Sequence, residues 1–168
     1  SQLIRGIYEA ACDERPWGAQ FQALQQGFDA QSTMIFTPQL PNSSRDHFCV
    51  QIGLQPEVID AYLHESQEVD LWYHGIIRRY GLPRTGLVYA THALVEDRVL
   101  KKSRFFADYL RPLGVGYALG TVISSGADGD GVPLMTINIY RPFGRAHFTP
   151  RDVNRFAQFQ THLRRAMI

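Results

Sequence analysis

The chain has 168 residues, enough for one domain with a sizeable core, and 45% of them are hydrophobic. Charged residues make up 20% and the formal net charge is +1, which provides no strong field for nucleic acid or anionic membranes. No apolar run reaches the roughly 18 residues of a membrane-spanning helix, and the first residues lack the pattern of a signal peptide. The two cysteines, Cys12 and Cys49, are too far apart to suggest a disulfide framework or a zinc site. We therefore expect a cytoplasmic domain without membrane contact.

The first part of the chain predicts two helices followed by two strands. Apolar residues recur at helical spacing over residues 3–11 and again from Trp17 to Phe28, with Pro16 between the two helices. Residues 31–37 favour a strand, which a loop containing Pro38 and Pro41 closes. Residues 47–54 alternate between apolar and polar side chains, which predicts a second strand with one buried face.

The second part predicts helices, a short strand, a hairpin and a last helix. Pro56 begins one helix, a second carries Leu71 to Tyr80 before Gly81, and residues 87–89 favour a short strand. A helix over residues 98–110 precedes two hairpin strands at residues 115–124 and 134–141. In the sequence Thr149-Pro150-Arg151-Asp152, Thr149 is suited to cap the last helix and Asp152 to bond back to the cap.

Pairs of strands separated by helices predict an α+β fold, with an antiparallel sheet of about five strands and helices on both faces. The last helix carries Val153, Phe156, Ala157, Gln160 and Leu163 on one face, with Phe159 and Ala166 to the side. Such a wide stripe is suited to contact both the sheet and a partner subunit. We treat residues 1–168 as a single domain. Because the chain starts without Met and ends inside a helical pattern, we expect more protein beyond residue 168, although a natural terminus is the alternative.

The hairpin strands suggest where a small molecule would bind. The first strand has small side chains on one face, at Gly116, Ala118 and Gly120. Its other face carries Tyr117, Leu119 and Thr121, and we expect this face to lie beside Thr136, Asn138 and Tyr140 of the second strand. That arrangement would give the mixed aromatic and polar lining of a pocket. A shift of one residue in register reverses the arrangement, and an equally good interpretation places Thr136 and Asn138 in solvent.

The predicted helices add many aromatic residues that should cover this sheet. Most aromatic residues at helical spacing belong to a core, but Trp72 and Tyr73 are adjacent and cannot both point inward equally. Asp70 precedes them near a predicted helix N-terminus, where a carboxylate is stabilised by free amide groups. It either caps the helix or accepts a hydrogen bond from a ligand amide or hydroxyl. The aromatic residues of these helices are Tyr62, Trp72, Tyr73, Tyr80, Phe105, Phe106 and Tyr109.

Other chemistries find little support in the sequence. The six histidines are spread over separate elements without the spacing of a metal motif, so we expect no metal and no cofactor. No Ser-His-Asp or Cys-His set can be assigned from residue order, so we expect no catalytic residues and no enzyme. A small enzyme of the same fold is the alternative.

Three stretches of the chain resemble the N-terminal sensor domain of LuxR-type transcription regulators. Tyr62 followed by Val69-Asp70-Leu71-Trp72 is similar to the family's aromatic stretch leading to Asp-Pro, with Leu71 in place of the Pro. Residues 104–108, running into residues 113–120, are similar to its Phe-Phe helix and following strand. Residues 141–144, 148–152 and 162–166 are similar to the helix that leads to a helix-turn-helix domain.

The resemblance implies a PAS/GAF-like α/β/α sandwich that binds a small molecule, for example an acyl-homoserine lactone. It further implies a homodimer that binds DNA through a C-terminal helix-turn-helix domain beyond residue 168. The family's lactone-binding Asp corresponds to Asp70, and Tyr89 stands near a position where the family has Trp. A PAS- or GAF-type sensor of another signalling protein, such as a kinase, is the alternative. The expected ligand-binding residues are Tyr62, Asp70, Trp72, Tyr73, Tyr89, Phe105, Tyr109, Tyr117, Thr136 and Asn138.

Overall fold

The structure, a computed structural model, describes residues 18–37, 49–65, 68–129 and 134–167. The predicted helix at residues 3–11, the first part of the strand at residues 47–54, and Cys12 and Trp17 therefore lie outside the described residues.

The described helices are close to those predicted. They are α1 (Gly18–Gly27), α2 (Pro56–Glu65), α3 (Leu71–Tyr80), α4 (Asp97–Lys101), α5 (Arg111–Leu113) and α6 (Pro150–Met167). A short 3-10 helix spans Thr91–Ala93, and a π-helical segment, Phe106–Leu110, leads directly into α5. Residues 98–110 thus do not form the one continuous helix that the sequence predicts. The Ser103 hydroxyl donates to Leu100 O (2.6 Å) and accepts from Phe106 N–H (3.1 Å), which separates the two segments.

Five strands form one antiparallel sheet among the described residues. They are β1 (Ser32–Phe36), β2 (Cys49–Ile52), β3 (Val88–Ala90), β4 (Tyr117–Ser125) and β5 (Leu134–Arg141), in the order β2-β1-β5-β4-β3. Helices cover both faces, so the predicted α/β/α sandwich is confirmed. The long strands β4 and β5 lie next to each other near the centre, and both faces of this pair are buried.

Alternation along the strands divides the core into two parts. Ile35, Leu119, Ile137 and Ile139 point towards α1 and α6, and we call this side the packed face. Met34, Phe36, Ala118 and Tyr140 point towards α2, α3 and the 97–113 region, and we call this side the aromatic face. Residues therefore alternate between the two sides along each strand, except in β4 between Val122 and Ser124, where the register with β5 shifts.

The register of the β4–β5 hairpin differs from the one expected. Ala118, Gly120 and Val122 lie opposite Tyr140, Asn138 and Thr136, whereas Leu119 and Thr121 lie opposite Ile139 and Ile137. The prediction that Tyr117, Leu119 and Thr121 share a face with Thr136, Asn138 and Tyr140 is therefore wrong. The reason is the one-residue ambiguity of a period-two pattern, which only the pairing resolves. The small residues of β4 thus lie beside the polar side chains of β5.

The helix α6 begins as its sequence indicates. Thr149 Oγ1 accepts from Asp152 N–H (3.3 Å), and Asp152 Oδ2 accepts from Thr149 N–H (2.9 Å), which forms a reciprocal cap. Phe156 and Leu163 are buried on the packed face as expected. Ala157 is exposed, and Phe159 packs against the core instead, so the apolar stripe is rotated from the predicted one.

Candidate ligand-binding site

A cavity of about 90 Å³ lies on the aromatic face, between the sheet and the helices α2 and α3. Asp70 is the one carboxylate among the described residues that line it, and these include no Lys, Arg or His. The walls are mostly aromatic and aliphatic. The lining consists of Met34, Phe36, Leu54, Ile59, Tyr62, Leu63, Asp70, Trp72, Tyr73, Ile76, Pro83, Tyr89, Phe105, Leu110, Leu113, Val115, Val122, Leu134, Thr136, Asn138 and Tyr140.

Asp70 caps a helix, which is one of the two roles considered for it, and it also lines the cavity. Its Oδ1 accepts from Tyr73 N–H (3.0 Å) at the start of α3. Its Oδ2 accepts from the Tyr62 hydroxyl (2.7 Å) on α2. Burial raises the pKa of the Asp70 carboxyl, and the hydrogen bonds from Tyr62 and Tyr73 only partly oppose this shift. Burial, together with the neighbouring carboxylate, raises the pKa of Tyr62 well above its usual value.

A second buried hydrogen bond crosses the sheet side of the cavity. The Tyr89 hydroxyl of β3 donates to Asn138 Oδ1 of β5 (2.6 Å), passing over Gly120 of the strand between them. A Cβ at Gly120 would collide with Asn138 Oδ1 and lie 2.5 Å from the Tyr89 hydroxyl. The Tyr89–Asn138 hydrogen bond can therefore form only because residue 120 is a glycine without a side chain.

Two residues of the lining, Trp72 and Thr136, each carry a buried polar atom without a hydrogen-bond partner. Among the described residues, the indole Nε1 of Trp72 and Oγ1 of Thr136 are buried and unsatisfied. Both side chains are only 8% exposed. Leaving such a group unpaired reduces the stability of the fold by about 1–3 kcal/mol, and most buried polar groups in proteins do have a hydrogen-bond partner. The ring of Trp72 is held by an edge contact with Phe105 (centroids 5.3 Å apart) and a near-parallel one with Tyr140 (6.5 Å).

The structure brings most of the expected site residues together. Tyr62, Asp70, Trp72, Tyr73, Tyr89, Phe105, Thr136 and Asn138 all line the cavity. Trp72 is buried and Tyr73 half-buried, so the two adjacent side chains do diverge in exposure. Asn138 and Thr136 are buried at 7% and 8% exposure, so the interpretation that places them in solvent is wrong.

Two expected site residues lie elsewhere. Tyr109 lies on the aromatic face, where its ring contacts Tyr62 and its hydroxyl donates to Glu65 (2.8 Å). It is not among the residues that line the cavity. Tyr117 is on the packed face as a result of the hairpin register. Its hydroxyl donates to Asp97 (2.8 Å), and burial, together with that carboxylate, raises the pKa of Tyr117 to about 12.

The expected set also omitted several residues that line the cavity. The most informative is Tyr140, which alternates with Thr136 and Asn138 along β5 and was therefore detectable from its parity. Met34 and Phe36 of β1 could not be found this way, because their contact with the cavity depends on the pairing of β1 with β5.

Neither a metal site nor a membrane span is found in the part of the chain that the structure describes. No group of three or more His, Cys, Asp or Glu side chains there is placed to hold a metal ion. None of the helices described is both long enough and apolar enough to cross a bilayer.

No protein-family model and no curated protein matches the chain. Several solved structures do match it. The chain is similar to the VqsR ligand-binding domain (LBD) from Pseudomonas aeruginosa, with a TM-score of 0.68, 13% identity, and coverage of 99% of this chain and 92% of that one. It is similar to the N-acylhomoserine lactone dependent LuxR family transcription factor CepR2 from Burkholderia cenocepacia, with a TM-score of 0.62, 12% identity and coverage of 98% and 91%.

A GAF domain/HD domain protein from Geobacter sulfurreducens gives a lower TM-score of 0.57, with 9% identity and coverage of 98% and 95%. Identities this low show the fold alone. They confirm at that level the resemblance carried by the sequence motifs. The chain has the α/β/α fold found in the ligand-binding domains of LuxR-family regulators and in GAF domains.

Proposed function

We propose that this domain senses a small molecule for a LuxR-type transcription regulator. The cavity on the aromatic face would hold the ligand, and the ligand would control DNA binding by a helix-turn-helix domain beyond residue 168. The observation that carries the proposal is the largely aromatic cavity between the sheet and the helices, whose lining residues include Trp72 and Thr136, each with a buried polar atom that has no partner. A cavity with such groups is suited to binding, and none of its residues forms a nucleophile–base pair of the kind an enzyme uses.

The fold favours this assignment over the alternative of a GAF-type sensor in another signalling protein. The two regulator ligand-binding domains give the higher TM-scores, 0.68 and 0.62 against 0.57. An acyl-homoserine lactone is the first ligand class to test, since CepR2 is described as dependent on N-acylhomoserine lactone. We further propose that the regulator acts as a homodimer in the cytoplasm, where it would reach its DNA.

The strand β5 offers a path from the cavity to the last helix. Tyr140 faces the cavity, and the next residue, Arg141, points to the opposite side. The Arg141 guanidinium donates to the backbone carbonyls of Phe28, Asp29, Ala146 and His147, and lies 3.8 Å from Asp152 in the cap of α6. A ligand that moves Tyr140 would therefore bias the position of the helix leading towards the DNA-binding domain.

The test measures how far N-acyl-homoserine lactones with acyl chains of about 4 to 12 carbons raise the melting temperature of the 168-residue chain. The cavity volume of about 90 Å³ predicts that the short chains stabilise the protein most. Asp70→Asn and Tyr62→Phe should weaken binding, because each alters the hydrogen-bonded pair that faces the cavity.

Tyr117→Phe is the matched control, because this tyrosine loses its hydroxyl on the packed face and should bind like wild type. If no lactone binds, the lactone assignment fails. A wider screen of uncharged small molecules then decides on the sensor function, which fails if none of them binds.

A further inference from the structure

We propose that Asp128 is a positioning residue that links the cavity to the C-terminal turns of α6, through Thr85 on one side and Arg164 on the other. Occupation of the cavity would then set how firmly the end of this helix is held. The inference rests on the proposed sensor function, and it adds a second route to α6 beside the one through Arg141, which reaches the start of the helix.

The route begins in the segment that follows α3, where Pro83 lines the cavity. Two residues further on, the Thr85 hydroxyl accepts from Ser125 N–H (2.9 Å) and donates to Asp128 Oδ2 (2.5 Å). One hydroxyl therefore joins this segment to the end of β4 and to the loop that follows it. Because only Arg84 separates Pro83 from Thr85, a displacement of Pro83 changes the position of the Thr85 hydroxyl.

The route continues from Asp128 to α6. The Asp128 oxygen that accepts from Thr85, Oδ2, lies 3.5 Å from Arg164 Nη2. The side chains of Arg164 and Asp128 are 40% and 32% exposed, so this ion pair is partly shielded from solvent. The hydrogen bond from Thr85 fixes the Asp128 carboxylate in the orientation that faces the guanidinium, so loss of the hydrogen bond weakens the ion pair as well.

Arg164 lies at the point where α6 leaves the core. Leu163, just before it, is 2% exposed and is the last buried residue of α6 among those whose side chains the structure describes. One turn earlier, the Gln160 side chain lies beside Gly86, where an added Cβ would be 3.6 Å from Gln160 Nε2. Gln160 and Arg164 are four residues apart and share a helical face, so both meet the region around Thr85. These contacts therefore position the last turns of the helix.

The contacts at the two ends of α6 differ in strength. The guanidinium of Arg141, near the start of the helix, is buried and donates to four backbone carbonyls. The partly exposed ion pair of Asp128 and Arg164 is weaker, as exposed pairs generally are. Elements that move in regulation belong to the less stable parts of a fold. The C-terminal turns are therefore the part of α6 that a small change at the cavity moves most easily.

The experiment measures amide hydrogen exchange at residues 160–165 in ¹H–¹⁵N spectra of the 168-residue chain, without added ligand. Thr85→Val removes the hydroxyl that holds Asp128, and it should speed exchange at these residues by about two- to fivefold, as expected from weakening an exposed ion pair. Asp128→Asn and Arg164→Gln should have at least this effect. Thr85→Val should add little to Arg164→Gln, because both changes remove the same link.

Two variants are the matched controls. Thr85→Ser keeps the hydroxyl and should keep the wild-type exchange rates at the end of α6. Arg165→Gln removes the positive charge of the neighbouring arginine, which is exposed, and should leave the rates unchanged. A merely structural role of Thr85 would slow or speed exchange near Thr85 itself without reaching α6.

Pro83→Ala tests the step from the cavity wall to Thr85. It removes part of the ring that lines the cavity and frees the backbone on that side. This variant should also speed exchange at residues 160–165, and the effect should be lost in the presence of Thr85→Val, because the link is then already broken.

Several outcomes would overturn the inference. These are wild-type exchange in α6 for Thr85→Val, faster exchange for Thr85→Ser or Arg165→Gln, and full additivity of Thr85→Val with Arg164→Gln. An effect of Thr85→Val without an effect of Pro83→Ala also overturns it, because the cavity is then not joined to the helix. All of these are measured without ligand, so they leave the sensor function to the separate thermal screen.

Discussion

The two faces of the sheet are built from alternate residues of the same strands, yet they differ in what they bury. On the packed face, Ile137, Ile139, Leu119 and Phe156 are all 0% exposed, and Phe28 contacts the Phe156 ring edge-on at 5.5 Å. On the aromatic face the strands present Thr136, Asn138 and Tyr140, and a cavity remains beneath α2 and α3. Dense aliphatic packing stabilises a fold, whereas polar groups around a space provide for binding. One sheet thus serves both needs because its side chains alternate.

The largest expected effect comes from removing a ring on the packed face. Phe156→Ala should reduce the free energy of unfolding by about 3–5 kcal/mol, because the ring is fully buried and its removal leaves a cavity. Urea denaturation measures the change. Leu82→Ala, at a residue that is 77% exposed, is the control and should change stability by less than about 0.5 kcal/mol. A loss below about 1 kcal/mol for Phe156→Ala would contradict the dense packing proposed for this face.

On the aromatic face, Gly120→Ala should reduce the free energy of unfolding by about 1–3 kcal/mol, as overpacking does. The added methyl would collide with Asn138 and Tyr89 and break their hydrogen bond. Chemical denaturation with a ligand titration would show weaker binding in the same variant. Gly27→Ala is the control, because nothing lies within 4 Å of its Cβ position. Wild-type stability for Gly120→Ala would show that the Tyr89–Asn138 bond does not lie over this residue.

A smaller effect should distinguish the two faces through a pair of threonines. Thr136→Val should stabilise the ligand-free protein by roughly 0.5–1.5 kcal/mol, because it removes a buried hydroxyl that has no partner. Thr121→Val, on the packed face, should destabilise it by a similar amount, since the Thr121 hydroxyl donates to Leu87 O (2.8 Å). Melting temperatures of the two variants should therefore move in opposite directions. A shift of the same sign in both would remove this contrast between the faces.

The smallest expected effect is a pH dependence that Asp70 contributes. Burial raises its pKa in the folded state, so the fold binds the proton more tightly than the unfolded chain does. Its contribution to stability is therefore greatest below its ordinary pKa of about 4 and is lost progressively as the pH rises through the higher folded-state value. Asp70→Asn removes this dependence.

Thermal unfolding of wild type and Asp70→Asn between about pH 4 and pH 7 tests this expectation. The variant should become more stable relative to wild type as the pH increases. Asn also caps helices well, so the N-terminus of α3 should stay intact. A difference that stays constant with pH, or that changes in the opposite direction, would contradict the raised pKa.

The sequence by itself determined most of the elements and several of their ends, because these depend on nearby residues, but not the break within residues 98–110. The alternation over residues 134–141 correctly predicted β5, and the Thr149–Asp152 pair correctly predicted the start of α6. Asp70 was placed correctly at the start of a helix, since a carboxylate three residues before a free amide caps it locally. The aromatic residues of the helices and the polar side chains of β5 also indicated where the cavity lies, and eight of its 21 lining residues were among those expected.

Only the tertiary structure decided which strand faces met and which polar atoms were left without partners. Tyr117 and Tyr89 were both expected at the site, but the register of β4 with its neighbours sends Tyr117 to the packed face and leaves Tyr89 above Gly120. The indole of Trp72 on α3 is buried because Phe105 and Tyr140 of β5 pack against it, and these residues are far apart in the sequence. Such features require contacts between segments distant in sequence, and a period-two pattern fits either register equally well.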